Sequence, residues 1–466
     1  MHISLRVAVL ALGIISAGVA QAQQSEIEQL RSAVEAMRSD YEARITELER
    51  RLAVAEQNAL QASYAARQTD AALQPAPAPA PESGVRQESL AFAPATGSRS
   101  SAFNPAVGVI FQGTAWNFSD DPEDYAIQGF PLGGEAGPID EGLALGETEL
   151  IFNANVDDKF TAWLTAALAL EDGEAIVEIE EAWVEATALP AGFGARFGRF
   201  FSGLGYLNAR HRHTWDFADQ PLPYKAFLGG QYLDDGIQLR WLAPTDLYME
   251  FGGEWLRGDR YPTAGAAKSG AGAYSLFAKF GGDLGTDSSW LAGLSYLDGT
   301  AVDRPSGDED DPLLFNGDST LTVAEFVWKW APDGNWKQKN MIVQAEYFWR
   351  DDSGDYALPG GGSPLAYNAD QTGWYAQAVY QPLPRWRVGG RIDGLASDSP
   401  GSLFDGTELA APGSDPRRYT IMTDWSNSEF SRLRLQFTRD ESGPSDDTQW
   451  GVQYIHSIGA HGAHTF

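Results

Sequence analysis

The stretch SRLRLQFT, residues 431–438, alternates polar and apolar side chains at every position. In an extended chain Arg432 and Arg434 fall on one face, while Leu433 and Leu435 fall on the other. A period of two predicts a β-strand, and guanidinium groups repeated along one face predict that this face meets water. Whether the apolar face contacts a protein core or lipid depends on the pattern of strands and connections in the rest of the chain.

The same period recurs from residue 103 to residue 466 and predicts about sixteen antiparallel strands. Short connections such as VDDK (156–159) and PLPR (382–385) alternate with connections that are mostly long. This asymmetry is typical of an outer-membrane β-barrel, and strands of about ten residues suit a tilted span. A soluble sandwich would have shorter strands and more even loops. The long connections are expected at 119–145, 201–235, 258–270, 298–319, 352–370 and 395–416.

Three segments precede the predicted barrel, which occupies residues 103–466. Residues 1–22 have Arg6, an apolar run and the sequence Ala-Gln-Ala, which is the pattern of a cleaved signal peptide. Residues 23–72 show heptad spacing and predict an α-helical coiled coil, although a single amphipathic helix on the main domain is the alternative. Residues 73–102 are rich in Pro and Ala and predict a semi-rigid linker. An even number of strands would leave both chain ends, and hence the coiled coil, in the periplasm.

Composition excludes several classes of function. The net charge of −31 argues against nucleic acid as a partner, and the absence of cysteine excludes disulfides and thiolate chemistry. No G-x-S-x-G, P-loop or H-E-x-x-H motif is present, so the sequence does not predict an enzyme. Outer-membrane lipid is the expected environment of the apolar strand faces.

Strand parity predicts the charged residues that face the lumen. The predicted strand around residues 175–187 carries too many glutamates for one face of a regular strand, and a bulge is expected near Glu180. Arginines concentrate on the last strands, so one wall of the lumen should be basic. The candidate pore-lining residues are Arg196, Arg240, Arg387, Arg391, Arg432, Arg434, Glu178 and Glu250.

The connection 201–235 is the longest and is rich in aromatic residues, which favour burial. It either caps the outer rim or folds into the lumen and narrows it. In the second case its candidate constriction residues are Arg210, Arg212, Trp215, Asp216 and Lys225.

Two pairs of histidines are candidate metal ligands, with zinc as the candidate ion; otherwise no cofactor is expected. His211 and His213 could share a face of the long connection, about 7 Å apart. His461 and His464 lie in the C-terminal tail and could chelate a metal only if the tail is irregular. The terminal Phe466 is typical of the signal that the barrel-assembly machinery reads, which predicts a closing strand.

The sequence resembles two groups of bacterial proteins. In plan it is similar to the phosphate-selective and dicarboxylate porins of Gram-negative bacteria, a resemblance that implies a homotrimer in the outer membrane. In detail it resembles a proteobacterial family labelled zinc-regulated or TonB-dependent outer-membrane receptors. The matching segments are FNPAVGVIFQGT (103–114), LGETELIFNANVDDKF (145–160), GRFFSGLGYLN (198–208), residues 215–246 and SIGAHGAHTF (457–466).

The expected function is passive diffusion of small polar or ionic solutes through a porin-like channel. A TonB-dependent receptor needs a larger barrel of ~22 strands with a plugged lumen, for which this sequence has no room. Two alternatives remain open, namely an outer-membrane zinc uptake receptor and a structural tether whose coiled coil contacts peptidoglycan.

Overall fold

The computed structural model describes residues 106–459 except 172–173, 265–269, 308–311, 359, 411–412 and 414. The predicted signal peptide, coiled coil and linker lie outside the described residues, as do His461, His464 and Phe466. No helix in the described ranges is both long and apolar enough to cross a membrane.

The described residues form seventeen strand segments, one α-helix and five short 3₁₀ turns. The strands are β1 Ala106–Asn117, β2 Gly142–Leu145, β3 Thr148–Asn155, β4 Phe160–Glu171, β5 Glu174–Ala186, β6 Phe193–Phe201, β7 Leu233–Leu242, β8 Tyr248–Leu256, β9 Ala273–Leu284, β10 Ser288–Ser306, β11 Leu313–Trp330, β12 Asn340–Ala357, β13 Leu365–Leu383, β14 Trp386–Ser397, β15 Arg417–Ser428, β16 Ser431–Glu441 and β17 Asp447–Gly459. The helix is α1 Leu222–Leu228, and the 3₁₀ turns are Pro122–Asp124, Pro190–Gly192, Arg212–Thr214, Pro332–Gly334 and Ser402–Phe404.

The sheet closes into a barrel, because β17 pairs antiparallel with β1 and the other strands pair antiparallel in sequence order. The short β2 and the longer β3 both pair with β1 and together form one position of the wall. The described residues therefore form the predicted sixteen-stranded antiparallel barrel. Gly108 lies opposite Gly459, which places both ends of the described chain at the rim that carries the short turns.

The barrel is inverted relative to a soluble protein, with apolar side chains outside and polar ones inside. On β16 the side chains of Leu435 and Phe437 are 51% and 45% exposed, whereas Arg434 and Gln436 are 1% and 4% exposed. The same alternation follows β14 and β15. Because a continuous apolar outer face is stable only against lipid, this pattern is that of a membrane-spanning wall.

Four strands are longer than the sequence predicted. Strands β10 to β13 contain 18 or 19 residues each. Most of the connections predicted at 298–319 and 352–370 are therefore paired strand, and that part of the prediction was wrong. Gly317 lies directly opposite Gly354 in this extension. Glycine and aspartate disfavour strands locally, but backbone pairing with a neighbouring strand overrides that preference.

The predicted bulge near Glu180 is confirmed. Thr165 lies opposite Glu181 and Ala166 lies opposite Ile179, so Glu180 is the extra residue of β5. Both glutamates are buried, at 8% and 7% exposure. A regular strand would have turned one of these two carboxylates toward lipid.

A second bulge lies between β2 and β3, which the sequence predicted as one strand starting at 146. Gly113 of β1 lies opposite Leu145, whereas Ile110 lies opposite Glu149. Three steps along β1 thus correspond to four steps along the β2–β3 position. This bulge changes the parity of the wall, and Glu149 points inward with no exposed surface, at 0%.

Replacing Leu435 by Arg tests the assignment of the outer face. Leu435 is mid-strand and 51% exposed, whereas the control, Leu383→Arg, changes a residue that is 60% exposed at a short turn. The first variant should lose roughly 2–4 kcal/mol of unfolding free energy and the second less than about 1 kcal/mol, because the cost of charge depends on depth in the bilayer. Urea unfolding in phospholipid vesicles measures both. Equal losses in the two variants would contradict the assignment.

Candidate functional site

Loop L3, defined as residues 202–232, lies inside the barrel. Its backbone and side chains are hydrogen-bonded to inward residues of many strands. Lys279 of β9 donates to the Gly205 carbonyl at 2.8 Å, the Tyr206 amide donates to Glu346 of β12 at 2.7 Å, and Arg387 of β14 donates to Asp216 at 2.7 Å. A segment with partners around the ring must occupy the lumen. Of the two arrangements that its aromatic residues allowed, the structure has the inward one.

An apolar core holds L3 in place. Tyr224 of α1 packs edge-on against Phe348 with ring centroids 5.3 Å apart, and Phe227 packs against Phe130 of loop L1 (residues 118–141) at 5.8 Å. Tyr224, Phe227 and Phe348 have no exposed surface, at 0%. This burial accounts for the aromatic content of the loop, and burial of such rings is worth ~2–3 kcal/mol each.

One close approach in L3 requires glycine. Gly205 has φ +67°, and a Cβ atom there would lie 2.3 Å from a carboxylate oxygen of Glu346. The Gly205 amide donates to Ser295 Oγ at 2.9 Å. The backbone of L3 is thus in direct contact with the inner wall at this point.

Asp219 of L3 is enclosed by arginines of the basic wall. Arg391 Nη2 lies 3.0 Å and Arg418 Nη1 lies 3.3 Å from its carboxylate oxygens. Burial opposes the charged form of Asp219, but these two guanidinium groups hold its pKa well below the usual range. Both arginines are almost fully buried, at 2% and 1% exposure. The wall therefore binds L3 through desolvated ion pairs.

The other arginines of this wall also contact L3. Arg432 donates to the carbonyl of His213 at 2.8 Å, and Arg434 donates to the carbonyl of Trp215 at 2.5 Å. Arg387 pairs with Asp216 at 2.7 Å and with Asp424 of β15. The predicted basic wall, β14 to β16, is thus present, and L3 covers it.

The predicted constriction residues have different contacts. Arg210 stacks over Tyr206 at 4.1 Å, and Arg212 pairs with Glu135 at 2.8 Å. Trp215 donates through Nε1 to the Arg210 carbonyl at 2.8 Å. The remaining two are Asp216, paired with Arg387, and Lys225, which donates to the carbonyls of Ala136 and Gly137. Their role in a constriction stays a prediction.

Lys225 carries an amine in an unusual environment. It is 4% exposed, and its Nζ lies 4.6 Å from the ring centroid of Tyr125 in L1. Burial lowers the pKa of Lys225 to about 7. The lysine joins L3 to L1 through hydrogen bonds to the backbone carbonyls of Ala136 and Gly137.

Four inward residues near the short-turn rim form a charge tetrad, defined as Glu185, Arg196, Arg240 and Glu250. Arg196 pairs with Glu185 at 2.8 Å, while Arg240 pairs with Glu185 and lies 3.5 Å from Glu250. Their side chains retain exposures of 11% to 25%. Arg196, Arg240 and Glu250 belong to the predicted pore-lining set, whereas Glu185 does not; Arg391 and Arg434 of that set lie beneath L3. Pore lining stays a prediction.

The last predicted pore-lining residue is Glu178 of β5. It pairs with Arg260, in the connection between β8 and β9, at 2.7 Å, and its side chain is 33% exposed. It thus contacts a loop above the wall rather than L3.

Histidines of L3 meet carboxylates of the wall in a second group, the histidine–glutamate cluster, defined as Glu149, Glu180, Glu181, His211 and His213. His213 Nδ1 lies 2.5 Å from Glu149 Oε1, and His211 Nε2 lies 2.9 Å from Glu181 Oε2. His211 Nδ1 lies 3.4 Å from Glu149 Oε2 and 3.6 Å from Glu180 Oε2. All five residues are buried.

The electrostatics of this cluster favour positive charge. Burial alone would disfavour an imidazolium, but Glu149, Glu180 and Glu181 raise the pKa of His211 well above its ordinary value. The sequence predicted the histidine pair but missed Glu149. The alternation in ETELIF, residues 147–152, indicates that Glu149 faces the inside of the barrel. Its position along the wall relative to L3 depends on the β2–β3 bulge, which this alternation does not reveal.

Replacing Asp219 by Asn should release L3 from the basic wall. Removing one partner of a buried ion pair costs roughly 3–5 kcal/mol, because the remaining charges stay buried. Trypsin should then cut after Arg210 or Arg212 at least about 100-fold faster than in the wild type, as followed by mass spectrometry of the folded barrel.

The matched control is Asp259→Asn, which breaks an exposed pair with Arg257 at 3.2 Å. Such surface pairs contribute less than about 1 kcal/mol, so cleavage in L3 should not change. An Asp219→Asn protein that resists trypsin as the wild type does would show that this ion pair does not hold L3.

Comparison with known proteins gives a sequence relative and a set of solved barrels. No family model matches the sequence. In solved structures the chain is similar to a loop L8 deletion mutant of OmpT, an outer membrane protein of Vibrio cholerae, with 10% identity, a TM-score of 0.47 and coverage of 77% of this chain and 100% of that one. It is also similar to the outer membrane channel DcaP of Acinetobacter baumannii, with 15% identity, a TM-score of 0.45 and coverage of 78% and 99%.

The sequence relative is a protein of Aquifex aeolicus (strain VF5) described as an uncharacterized protein. It is 31% identical to this chain over 359 residues, which cover 72% of each of the two chains. The chain belongs to the family of this Aquifex aeolicus protein.

Proposed function

We propose that this protein is a porin-like channel in the outer membrane of a Gram-negative bacterium, through which small polar or ionic solutes diffuse passively. The observation that carries the proposal is the inverted barrel, whose sixteen wall positions are apolar outside and charged or polar inside. Barrels of about this size enclose an aqueous channel, whereas soluble barrels bury apolar residues inside.

L3 makes the lumen selective in this proposal. It occupies the interior at the level of the basic wall, so solutes pass beside it rather than through an empty cylinder. Its carboxylates form ion pairs with arginines of β14 and β15, and its carbonyls accept hydrogen bonds from arginines of β16. The charged side chains of the tetrad retain exposed surface, and these would act on a passing ion.

The alternatives differ from a channel in what they require. A tether needs no conduction and could have a lumen filled by its own loops. A TonB-dependent receptor requires a wider barrel of ~22 strands around a plug domain, and sixteen positions favour the channel over it. The homotrimer implied by the resemblance to porins is part of the proposal.

The proposal is tested by inserting the purified full-length protein into planar lipid bilayers. Stepwise openings that come in threes are expected from a trimeric channel, and the reversal potential in a salt gradient gives the ion preference. A protein that inserts in folded form but never conducts would overturn the channel and favour the tether.

Neutralising one member of the tetrad should shift ion selectivity in a direction set by its charge. Arg240→Gln leaves a net negative tetrad and should shift permeability toward cations, while Glu250→Gln should shift it toward anions. Each shift is about twofold, because a unit charge ~10 Å away in water changes an ion's energy by ~0.4 kcal/mol. Reversal potentials at low salt measure both.

The control is Arg417→Gln, which removes the same charge outside the lumen, where Arg417 stacks on Trp374 at 5.6 Å. No shift is expected for it. Shifts of the same sign for Arg240→Gln and Glu250→Gln would exclude the tetrad as a determinant of selectivity.

A further inference from the structure

We propose that the histidine–glutamate cluster binds one divalent first-row transition-metal cation, which joins L3 to the barrel wall. The inference goes beyond the proposed channel and does not rest on it, because it concerns the contact between β3, β5 and L3. Glu149, Glu180 and His211 are the expected ligands, and Glu181 is a positioning residue.

The spacing of the donor atoms suits a common ion. His211 Nδ1 lies 3.4 Å from Glu149 Oε2 and 3.6 Å from Glu180 Oε2. Ligands about 2.1 Å from a tetrahedral metal are separated from each other by about 3.4 Å. The two distances from His211 Nδ1 therefore already match the separation that a bound ion would impose.

Two of these donor atoms lack a hydrogen bond, although they lie 3.6 Å from each other. Within the described residues, neither His211 Nδ1 nor Glu180 Oε2 has a hydrogen-bond partner, although both residues are more than nine-tenths buried. Buried polar atoms without hydrogen bonds are costly, so an ion that both atoms coordinate would offset that cost.

Glu181 prepares His211 for coordination. Its Oε2 lies 2.9 Å from His211 Nε2, and its Oε1 accepts a hydrogen bond from Trp183 Nε1 at 3.0 Å. A carboxylate on one imidazole nitrogen fixes the tautomer, so that the other nitrogen presents its lone pair. Here the nitrogen that faces Glu149 and Glu180 is Nδ1.

Further donors complete the site. One ligand atom each of Glu149, His211 and His213 lie within 4.8 Å of one another, and the same holds for Glu147, Glu149 and Glu180. Glu149 belongs to both groups. His213 and Glu147 are therefore the candidates for a fourth ligand.

The negative charge around the cluster favours a cation that carries more than one unit of positive charge. Four carboxylates meet here, those of Glu147, Glu149, Glu180 and Glu181, while Arg212 supplies a permanent positive charge 3.3 Å from Glu147. The histidines are positive only when protonated. Because desolvated carboxylates need compensating charge, a divalent ion would stabilise the cluster. Imidazole among the ligands favours a transition metal over Mg²⁺ or Ca²⁺.

The test uses the full-length protein in detergent, stripped with a chelator that is then removed. His461 and His464 are both replaced by Ala, because the tail could bind metal by itself. Titration with zinc chloride in a calorimeter should show one ion per chain. His211→Ala in this background should weaken binding at least about 100-fold, and Glu181→Gln about 10–100-fold, as for other residues that orient ligands.

The matched control is His456→Ala on β17, whose ring stacks on Tyr454 at 6.1 Å and lies outside the cluster. It should bind zinc as its parent does. If His211→Ala fails to form a barrel, judged by heat-modifiable electrophoretic mobility, the isosteric Glu180→Gln decides the question. The absence of zinc binding in the parent, or equal binding after removal of these ligands, would overturn the proposal.

Discussion

The constraint on which the interior depends is that arginines on the inner wall must find acceptors. Arg391 and Arg418 are nearly inaccessible, and an unpaired guanidinium at such a position costs several kcal/mol. Asp393 of β14 pairs with both arginines, and Asp219 and the Gln220 carbonyl of L3 supply further acceptors. L3 therefore both shields these arginines from the lumen and compensates their charge, which makes it an integral part of the folded wall.

A short segment of L3 meets both kinds of wall. In RHRHTWDFAD, residues 210–219, the first four residues are basic or imidazole side chains and the acidic ones follow. The imidazoles contact carboxylates of β3 and β5, and the aspartates contact arginines of β14 and β15. The segment thus complements an acidic and a basic wall that flank β17 and β1. At this level L3 pairs with charged groups of both walls.

Much of this was readable from local pattern. The period of two predicted the sixteen wall positions and the inner face of β16, and the excess of glutamates in β5 predicted the bulge at Glu180. The extension of β10 to β13 was not readable, because Gly317 and Gly354 favour loops locally and pair only through their neighbours. The partners of His211 were also not readable, since they depend on the path of L3 and on strand register. The alternation of side chains shows which face of the strand carries Glu149. It does not show where along the wall Glu149 lies.

The two bulges show why wall and loop must be understood together. A bulge leaves one residue outside the regular ladder and increases local twist, so an isolated bulge would weaken the wall. The bulge in β5 keeps both Glu180 and Glu181 out of the lipid. The bulge between β2 and β3 precedes the inward-facing Glu149 on β3, which is separated from β5 by β4. Between them β4 places the small residues Ala167 and Thr165 opposite Glu149 and Glu181. The two bulges thus bring carboxylates of β3 and β5 within reach of His211 and His213, which argues that this corner of the barrel holds L3 through these carboxylates.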